Sequence, residues 1–320
     1  MSPTAGFWII LFTRILFSLS SHSIFFFWLR LEINILSILP LIKAINNTTS
    51  REAILKYFIS QRIVSILFLF FFLFATHNFF YLNYFLVIFI LFKVGIPPLH
   101  TWLSRIILSS PYKIIGLILF VQKFIPLHIL SNLTISLNLL FFFVFSTILL
   151  TAPALKNLLN LRLAILISAW RNSIWIILST INSKVWIIFL IFYGMILSFI
   201  LFLLLSSNCQ KFSSLLSIRL PYKVLCIVRF LNLAGLPPFS GFFIKLLLLK
   251  NFLVWAPLIS IILILNISLM VLFSYLILTY YRLRSNFQSR PAKINFSPFF
   301  LLVLMIYILP RFPIFIFLTA

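Results

Sequence analysis

Apolar runs of about twenty residues recur from one end of this chain to the other. Folded as a helix, a run of that length crosses the hydrocarbon core of a bilayer. Of the 320 residues, 63% are hydrophobic and only 8% are charged, and a soluble domain of this size needs far more polar surface to meet water. The sequence therefore predicts an all-α integral membrane protein with no room for a soluble domain.

Polar breaks and prolines divide the apolar runs into eleven predicted membrane-spanning helices. Their expected ranges are 6–20, 23–44, 53–76, 79–104, 112–132, 134–152, 160–181, 184–207, 222–249, 256–281 and 297–318. We expect residues 1–133 and 134–281 to form two five-helix repeats of one membrane domain, followed by a basic loop and a last helix in 282–320. Because five is odd, the second repeat is inverted relative to the first.

The charges of the loops test this count independently. The chain has 25 Lys and Arg against two acids, Glu32 and Glu52. Most of the basic residues between spans fall in the even-numbered connections, while the odd ones hold little beyond Lys184 and Lys250. The N-terminus is therefore expected on the positive side of the membrane and the C-terminus opposite. The basic residues form no clustered face, which argues against a nucleic-acid partner and for lipid headgroups.

Two predicted spans, the fourth and the ninth, are interrupted at matching places. The segments KVGIPPLHTW (93–102) and NLAGLPPFSGFFIK (232–245) each hold a glycine and two adjacent prolines, which are Gly95, Pro97 and Pro98 in the first and Gly235, Pro237 and Pro238 in the second. A proline has no N–H, so helix carbonyls lose their usual donors, and in a bilayer these must face protein or water. Paired interruptions in inverted repeats favour an ion or substrate pathway, and ordinary proline kinks are the alternative.

Four ionisable side chains fall well inside predicted spans: Glu32, Lys93, Lys123 and Lys245. A charge at bilayer depth is costly, so it normally faces a bundle interior or water. Apolar surroundings disfavour the charged form of a lysine and a nearby carboxylate favours it, so a buried lysine can gain and lose a proton as a relay requires. The alternative is a lysine that snorkels to the headgroups. That is hardest for Lys123, deep in its span.

The other ionisable residues have two interpretations each. Lys56, nearer a helix end, is either an anchor or part of a relay. His100 and His128 either join a proton path or make interfacial hydrogen bonds. Arginine does not release its proton at physiological pH, so a group of five arginines inside or near the spans is better explained as counter-charges or lipid anchors; these are Arg14, Arg30, Arg62, Arg171 and Arg229.

The sequence predicts no cofactor or metal site in this chain. Its four histidines lack metal-ligand spacing, and its six glycines form no phosphate-binding loop. Haem, iron–sulfur and nucleophile constellations cannot be assembled, and the two cysteines form no CxxC pair. The composition favours moving charge over making or breaking bonds.

Several segments together resemble one protein family: WLRLEINILSILPLI (28–42), EAILKYFISQ (52–61), KVGIPPLHTW (93–102), QKFIPL (122–127) and GLPPFSGFFIK (235–245). They resemble the antiporter-like subunits of proton-pumping NADH:ubiquinone oxidoreductase, respiratory complex I, and in particular its mitochondrially encoded subunit 2. The resemblance implies that Lys93, Lys123 and Lys245 transfer protons along a polar axis and that Glu32 pairs with Lys93.

The resemblance also implies a setting for the chain. Its partners would be other membrane-arm subunits of complex I, including neighbouring antiporter-like subunits, and lipids such as cardiolipin. FMN, iron–sulfur clusters and quinone would be bound by other subunits. The membrane would be the mitochondrial inner membrane, with the N-terminus on the matrix side and the C-terminus on the intermembrane-space side.

Two positions depart from the family pattern. Arg30 stands where the family usually has glycine, two residues before the glutamate, and Arg105 stands at a usually acidic position. If the Arg30 guanidinium reaches Glu32, the coupling between Glu32 and Lys93 weakens.

Two further functions share parts of this pattern. A free-standing cation/proton antiporter would use the same lysines without redox partners. A structural membrane-arm subunit would use its buried charges to hold its neighbours, so lysine replacements would damage assembly before they affected pumping.

Overall fold

In the computed structural model, the described residues are 24–43, 48–74, 79–133, 135–154, 160–181, 185–207, 209, 214, 220–236, 239–252 and 265–266. The first and eleventh predicted spans, nearly all of the tenth, and Pro237 and Pro238 lie outside them. Within this part of the chain the secondary structure is helical and no strand occurs.

Eleven helices are described here. They are α1 (Ile24–Lys43), α2 (Thr48–Phe74), α3 (Phe79–Val94), α4 (Thr101–Ser109), α5 (Tyr112–Leu119), α6 (Phe124–Ser131), α7 (Leu137–Ala154), α8 (Leu161–Thr180), α9 (Val185–Ser207), α10 (Leu220–Ala234) and α11 (Ser240–Phe252). These bounds fall within a few residues of the predicted second to ninth spans, with three of those spans divided into two helices. Polar breaks and prolines therefore located the helices well.

The outward faces of these helices are apolar. Among the residues that the structure describes, four stretches are long and apolar enough to cross a bilayer, namely Leu55–Leu73, Tyr112–Ser131, Leu161–Thr180 and Val185–Ser207. On α2 a stripe at helical spacing is exposed, including Ile59, Ile63, Ile66 and Phe70. Side chains of this kind face lipid, because water would not tolerate so large an apolar surface. The chain is an integral membrane protein, as the sequence predicted.

The chain forms two compact units. One comprises Met1–Pro153 with Ile165–Leu190, and the other comprises Ala154–Ala164 with Ile191–Ala320. In the first unit, α1 packs on α2, α2 packs on α3 and α4, and α6 packs against α1 and α3. In the second unit, α10 packs on α11.

The fourth and ninth predicted spans are both interrupted where the sequence indicated. Helix α3 ends at Val94 and α4 begins at Thr101, while α10 ends at Ala234 and α11 begins at Ser240. The residue after each helix end is a glycine in the left-handed region, with φ of 76° at Gly95 and 83° at Gly235. Other residues adopt that conformation only with strain, so glycine ends both helices.

The fifth predicted span is also interrupted, which the sequence analysis did not anticipate. Helix α5 ends at Leu119, a short 3₁₀ turn covers Val121–Lys123, and α6 then begins at Phe124. Pro126 fits the change, because it cannot donate to the Gln122 carbonyl and it lies in the first turn of the new helix, where that donor is not needed. Lys123 therefore lies in an irregular turn and not in a continuous helix.

Candidate functional site

The Glu32 carboxylate is buried between α1 and α2. Only 6% of the residue is exposed. Its Oε1 accepts a hydrogen bond from the Ser65 hydroxyl, and its Oε2 lies 2.8 Å from Nη1 of Arg62 in an ion pair. Arg62 and Ser65 are three residues apart on α2 and so lie on one face of that helix. The Trp28 indole N–H donates to the Ser65 carbonyl at 3.0 Å and ties α1 to the same turn.

Lys93 lies in the last turn of α3, two residues before the first interruption. It is 8% exposed, and its Nζ has no hydrogen-bond partner among the residues that the structure describes. The Glu32 carboxylate attracts the Lys93 ammonium, and the Arg62 guanidinium repels it. The direct ion pair of Glu32 is with Arg62, and its pairing with Lys93 stays a prediction.

Arg30, the departure noted in the sequence, is buried on the same helix as Glu32. Its guanidinium carbon lies 5.5 Å from the centroid of the Phe27 ring, a cation–π distance. The ion pair that the structure gives Glu32 comes instead from Arg62, on the neighbouring helix.

Lys123 is buried in the 3₁₀ turn and is 3% exposed. Beside it in the chain, the Gln122 amide is paired with the Tyr57 hydroxyl, which donates to Oε1 at 2.7 Å and also contacts Nε2. The Tyr57 ring packs 6.0 Å from the Trp102 ring, and the Trp102 indole donates to the Phe92 carbonyl at 3.0 Å. Polar groups of α2 thereby meet the Lys123 turn, and Trp102 links α4 to the end of α3.

Lys245 is buried on α11 in the second unit and is 9% exposed. Its Nζ donates to the Ala234 carbonyl at 2.8 Å. In a regular helix that carbonyl would accept from residue 238, which is a proline and has no N–H. The lysine therefore supplies a donor that the proline removed.

A side-chain link holds the same interruption. The Asn232 Oδ1 accepts the Gly241 backbone N–H at 2.8 Å, and the Asn232 amide lies 3.2 Å from the Ser240 hydroxyl oxygen. Asn232 ends no helix itself, since it lies inside α10. Its side chain satisfies orphan donors in the first turn of α11, as an N-cap residue does.

The three weaker candidates occupy different surroundings. Lys56 is exposed and pairs with Glu52 one helical turn away at 3.2 Å, an arrangement that favours the anchor interpretation. The His100 ring precedes α4 and meets the Trp170 ring edge-on at 4.4 Å. The His128 ring lies on α6, 6.1 Å from the ring of Trp186. A part for either histidine in a proton path stays a prediction.

Two contacts of the candidate site are not predicted by the sequence. Arg62 was grouped with general counter-charges, although its position three residues before Ser65 placed both on one helix face. Asn232 carried no motif beyond its place before the glycine and prolines. Within the described ranges, no three His, Cys, Asp or Glu side chains come together as a metal site.

This fold is shared with chains of large membrane complexes. The chain superposes with a TM-score of 0.73 and 16% identity on a chain of the Mrp complex from Dietzia, covering 84% of this chain and 58% of that one. This chain therefore spans little more than half of that Mrp chain. A chain of respiratory complex I from Thermus thermophilus with bound aureothin gives a TM-score of 0.60 at 19% identity, with 91% and 78% covered. Such identities establish the fold alone, which is that of an all-α membrane protein.

Sequence relatives narrow that class. No family model matches the chain. NADH-ubiquinone oxidoreductase chain 2 of Artemia franciscana is 33% identical over 240 residues, covering 74% of this chain and 77% of the relative. Its counterpart from Myxine glutinosa is 30% identical over 283 residues, covering 81% and 80%. The chain belongs to the NADH-ubiquinone oxidoreductase chain 2 family, which confirms the resemblance predicted from its motifs.

Proposed function

We propose that this chain is a core membrane-arm subunit of proton-pumping NADH:ubiquinone oxidoreductase. Protons pass through Lys93, Lys123 and Lys245, with Glu32 modulating the first. One observation carries the proposal: all three lysines are buried, Lys93 and Lys123 beside a helix interruption and Lys245 inside α11 with its Nζ bonded to the last carbonyl of α10. Membership of the family implies that the chain is part of a redox complex, and the reaction of that complex drives the movement of protons.

An interrupted helix suits a proton-carrying lysine for a physical reason. Apolar burial disfavours the ammonium form, while carbonyls left without donors accept hydrogen bonds from it. The Nζ of Lys245 on the Ala234 carbonyl shows such a bond. Burial and hydrogen bonding therefore act on the ammonium form in opposite directions.

The proposal includes the finer architecture and setting. The chain has eleven spans in two inverted five-helix repeats and a final helix, in the mitochondrial inner membrane, with its N-terminus in the matrix and its C-terminus in the intermembrane space. It contacts other membrane-arm subunits, including antiporter-like ones, and lipids such as cardiolipin.

Redox chemistry takes place on FMN, iron–sulfur clusters and quinone in those other subunits, and this chain binds none of them. Alternation of charge between the loops and the odd number of spans per repeat support this arrangement.

The first test is where the chain migrates. Mildly solubilised membranes would be separated on a native gel, with this chain located by peptide mass spectrometry beside a stain for NADH dehydrogenase activity. Migration with the large active band supports the proposal. Migration alone, or only with other transporter chains, would indicate a free-standing antiporter.

The second test replaces Lys123 by methionine, which keeps the length of the side chain and removes its proton site. We expect Lys123→Met to abolish proton pumping and coupled turnover while the complex still assembles. Lys113→Met is the matched control, because Lys113 is exposed and lies on the preceding helix. An unchanged proton-to-electron ratio in assembled Lys123→Met complex would refute the role of Lys123. A loss confined to assembly would favour the structural alternative.

A further inference from the structure

The Arg62–Glu32 pair raises a question that the proton path alone does not answer. A carboxylate that modulates Lys93 should be able to respond to it, yet Glu32 already has a permanent cation within 2.8 Å. A second acceptor site on the same carboxylate is taken by the Ser65 hydroxyl. The Ser65 and Arg62 groups that contact Glu32 therefore come from one face of α2, whereas Lys93 lies on α3.

The arrangement fixes the balance of charge around Lys93. Arginine keeps its proton throughout the physiological range, so Arg62 and Glu32 together contribute no net charge. Without Arg62, the buried carboxylate would lose the cation that lies 2.8 Å from it, and release of the Lys93 proton would then remove a second positive charge from its surroundings. With Arg62 present, Lys93 is able to lose its proton while Glu32 remains paired.

We propose that Arg62 is a positioning residue for Glu32: its guanidinium holds the carboxylate paired on α2, so that Lys93 can release its proton. This inference rests on the proposed function, because it assigns Arg62 a part in the proton transfer of Lys93. This role distinguishes Arg62 from the other arginines inside or near the spans, which are explained as counter-charges or lipid anchors.

The setting of Arg62 fits a fixed side chain better than a lipid anchor. Its guanidinium carbon lies 5.2 Å from the centroid of the Phe58 ring, one turn earlier on α2. The Ser65 hydroxyl oxygen also lies 2.9 Å from the Arg62 carbonyl oxygen, which places Ser65 between the backbone of Arg62 and the carboxylate. The Arg62 side chain is 34% exposed, whereas that of Glu32 is 8% exposed. The guanidinium therefore reaches inward to a buried carboxylate.

The test is a set of variants in membranes whose only copy of the chain carries the change. Proton pumping would be followed by quenching of a pH-sensitive dye during NADH oxidation, with rates normalised to the assembled complex on a native gel. We expect Arg62→Gln to lower pumping about fivefold or more, which is the low end of typical coupling between sites. Arg62→Lys keeps a cation beside Glu32 and should retain most of the rate. Arg105→Gln, which removes an exposed arginine on α4, should leave it unchanged.

The double variant distinguishes action through Glu32 from a separate effect. If Arg62 acts only by balancing Glu32, then adding Arg62→Gln to Glu32→Gln should change the rate less than about twofold, because residues of one network are not additive. The inference is overturned if Arg62→Gln pumps like the unmodified complex, if it lowers pumping equally in both backgrounds, or if it lowers only the amount of assembled complex. Lys123→Met, measured in parallel, keeps the two proposals apart. If Lys123→Met loses pumping while Arg62→Gln pumps normally, the role of Arg62 is rejected and the proposed function of the chain is kept.

Discussion

Gly235 leaves the space that the Lys245 side chain needs to reach the Ala234 carbonyl at the end of α10. Its φ is 83°, and a Cβ built on it would lie 2.9 Å from the Nζ of Lys245. Gly235→Ala therefore adds left-handed strain of about 1–2 kcal/mol and displaces the ammonium from the Ala234 carbonyl. We expect lower thermal stability of the complex and slower coupled turnover.

The matched control for that change is Gly116→Ala. Gly116 lies inside α5, where alanine is the better helix former, so the same added methyl group carries no backbone strain there. Normal turnover in assembled Gly235→Ala complex would show that the contact between Lys245 and Ala234 is not required for pumping.

At the scale of elements, Asn232 is the side chain that joins α10 to α11 across the second interruption. Asn232→Ala removes the acceptor of the Gly241 N–H, and a buried donor without a partner costs about 1–3 kcal/mol. We expect a lower melting temperature of the complex and less assembled complex on a native gel. Asn138→Ala removes an exposed asparagine at the start of α7 and should have little effect. Equal stability of the two variants would contradict a joining role for Asn232.

The interruptions also differ in how visible they were in the sequence. The glycine and adjacent prolines of the fourth and ninth spans predicted both breaks, because proline removes donors and glycine permits a positive φ. For the break at Lys123, the sequence offers Pro126 as its one signal. A single proline inside an apolar run is common in membrane helices, so the pattern gave no reason to place a 3₁₀ turn there.

For the whole molecule, the distribution of loop charges predicts which side of the membrane each connection faces. Arg105 belongs to a positive connection and Asn132 to the opposite side, and both residues are exposed. In oriented vesicles, a membrane-impermeant thiol reagent should modify Arg105→Cys from the side of the N-terminus only and Asn132→Cys from the other side only. The native Cys209 and Cys226 are buried and give a low background. Modification of both variants from one side would require a different number of spans between them.

The sequence by itself determined the membrane class, the positions of the described helices, two of the three interruptions and the family. It did so because apolar run length, proline chemistry and motif order are local properties of the chain. The partners of the buried charges were decided only by the tertiary structure. Packing of α1 on α2 brings Glu32 into an ion pair with Arg62. Packing of α11 on α10 lets Lys245 donate a hydrogen bond to the Ala234 carbonyl. Such contacts join residues of different helices, where several cations compete for one acceptor and only three-dimensional distance selects among them.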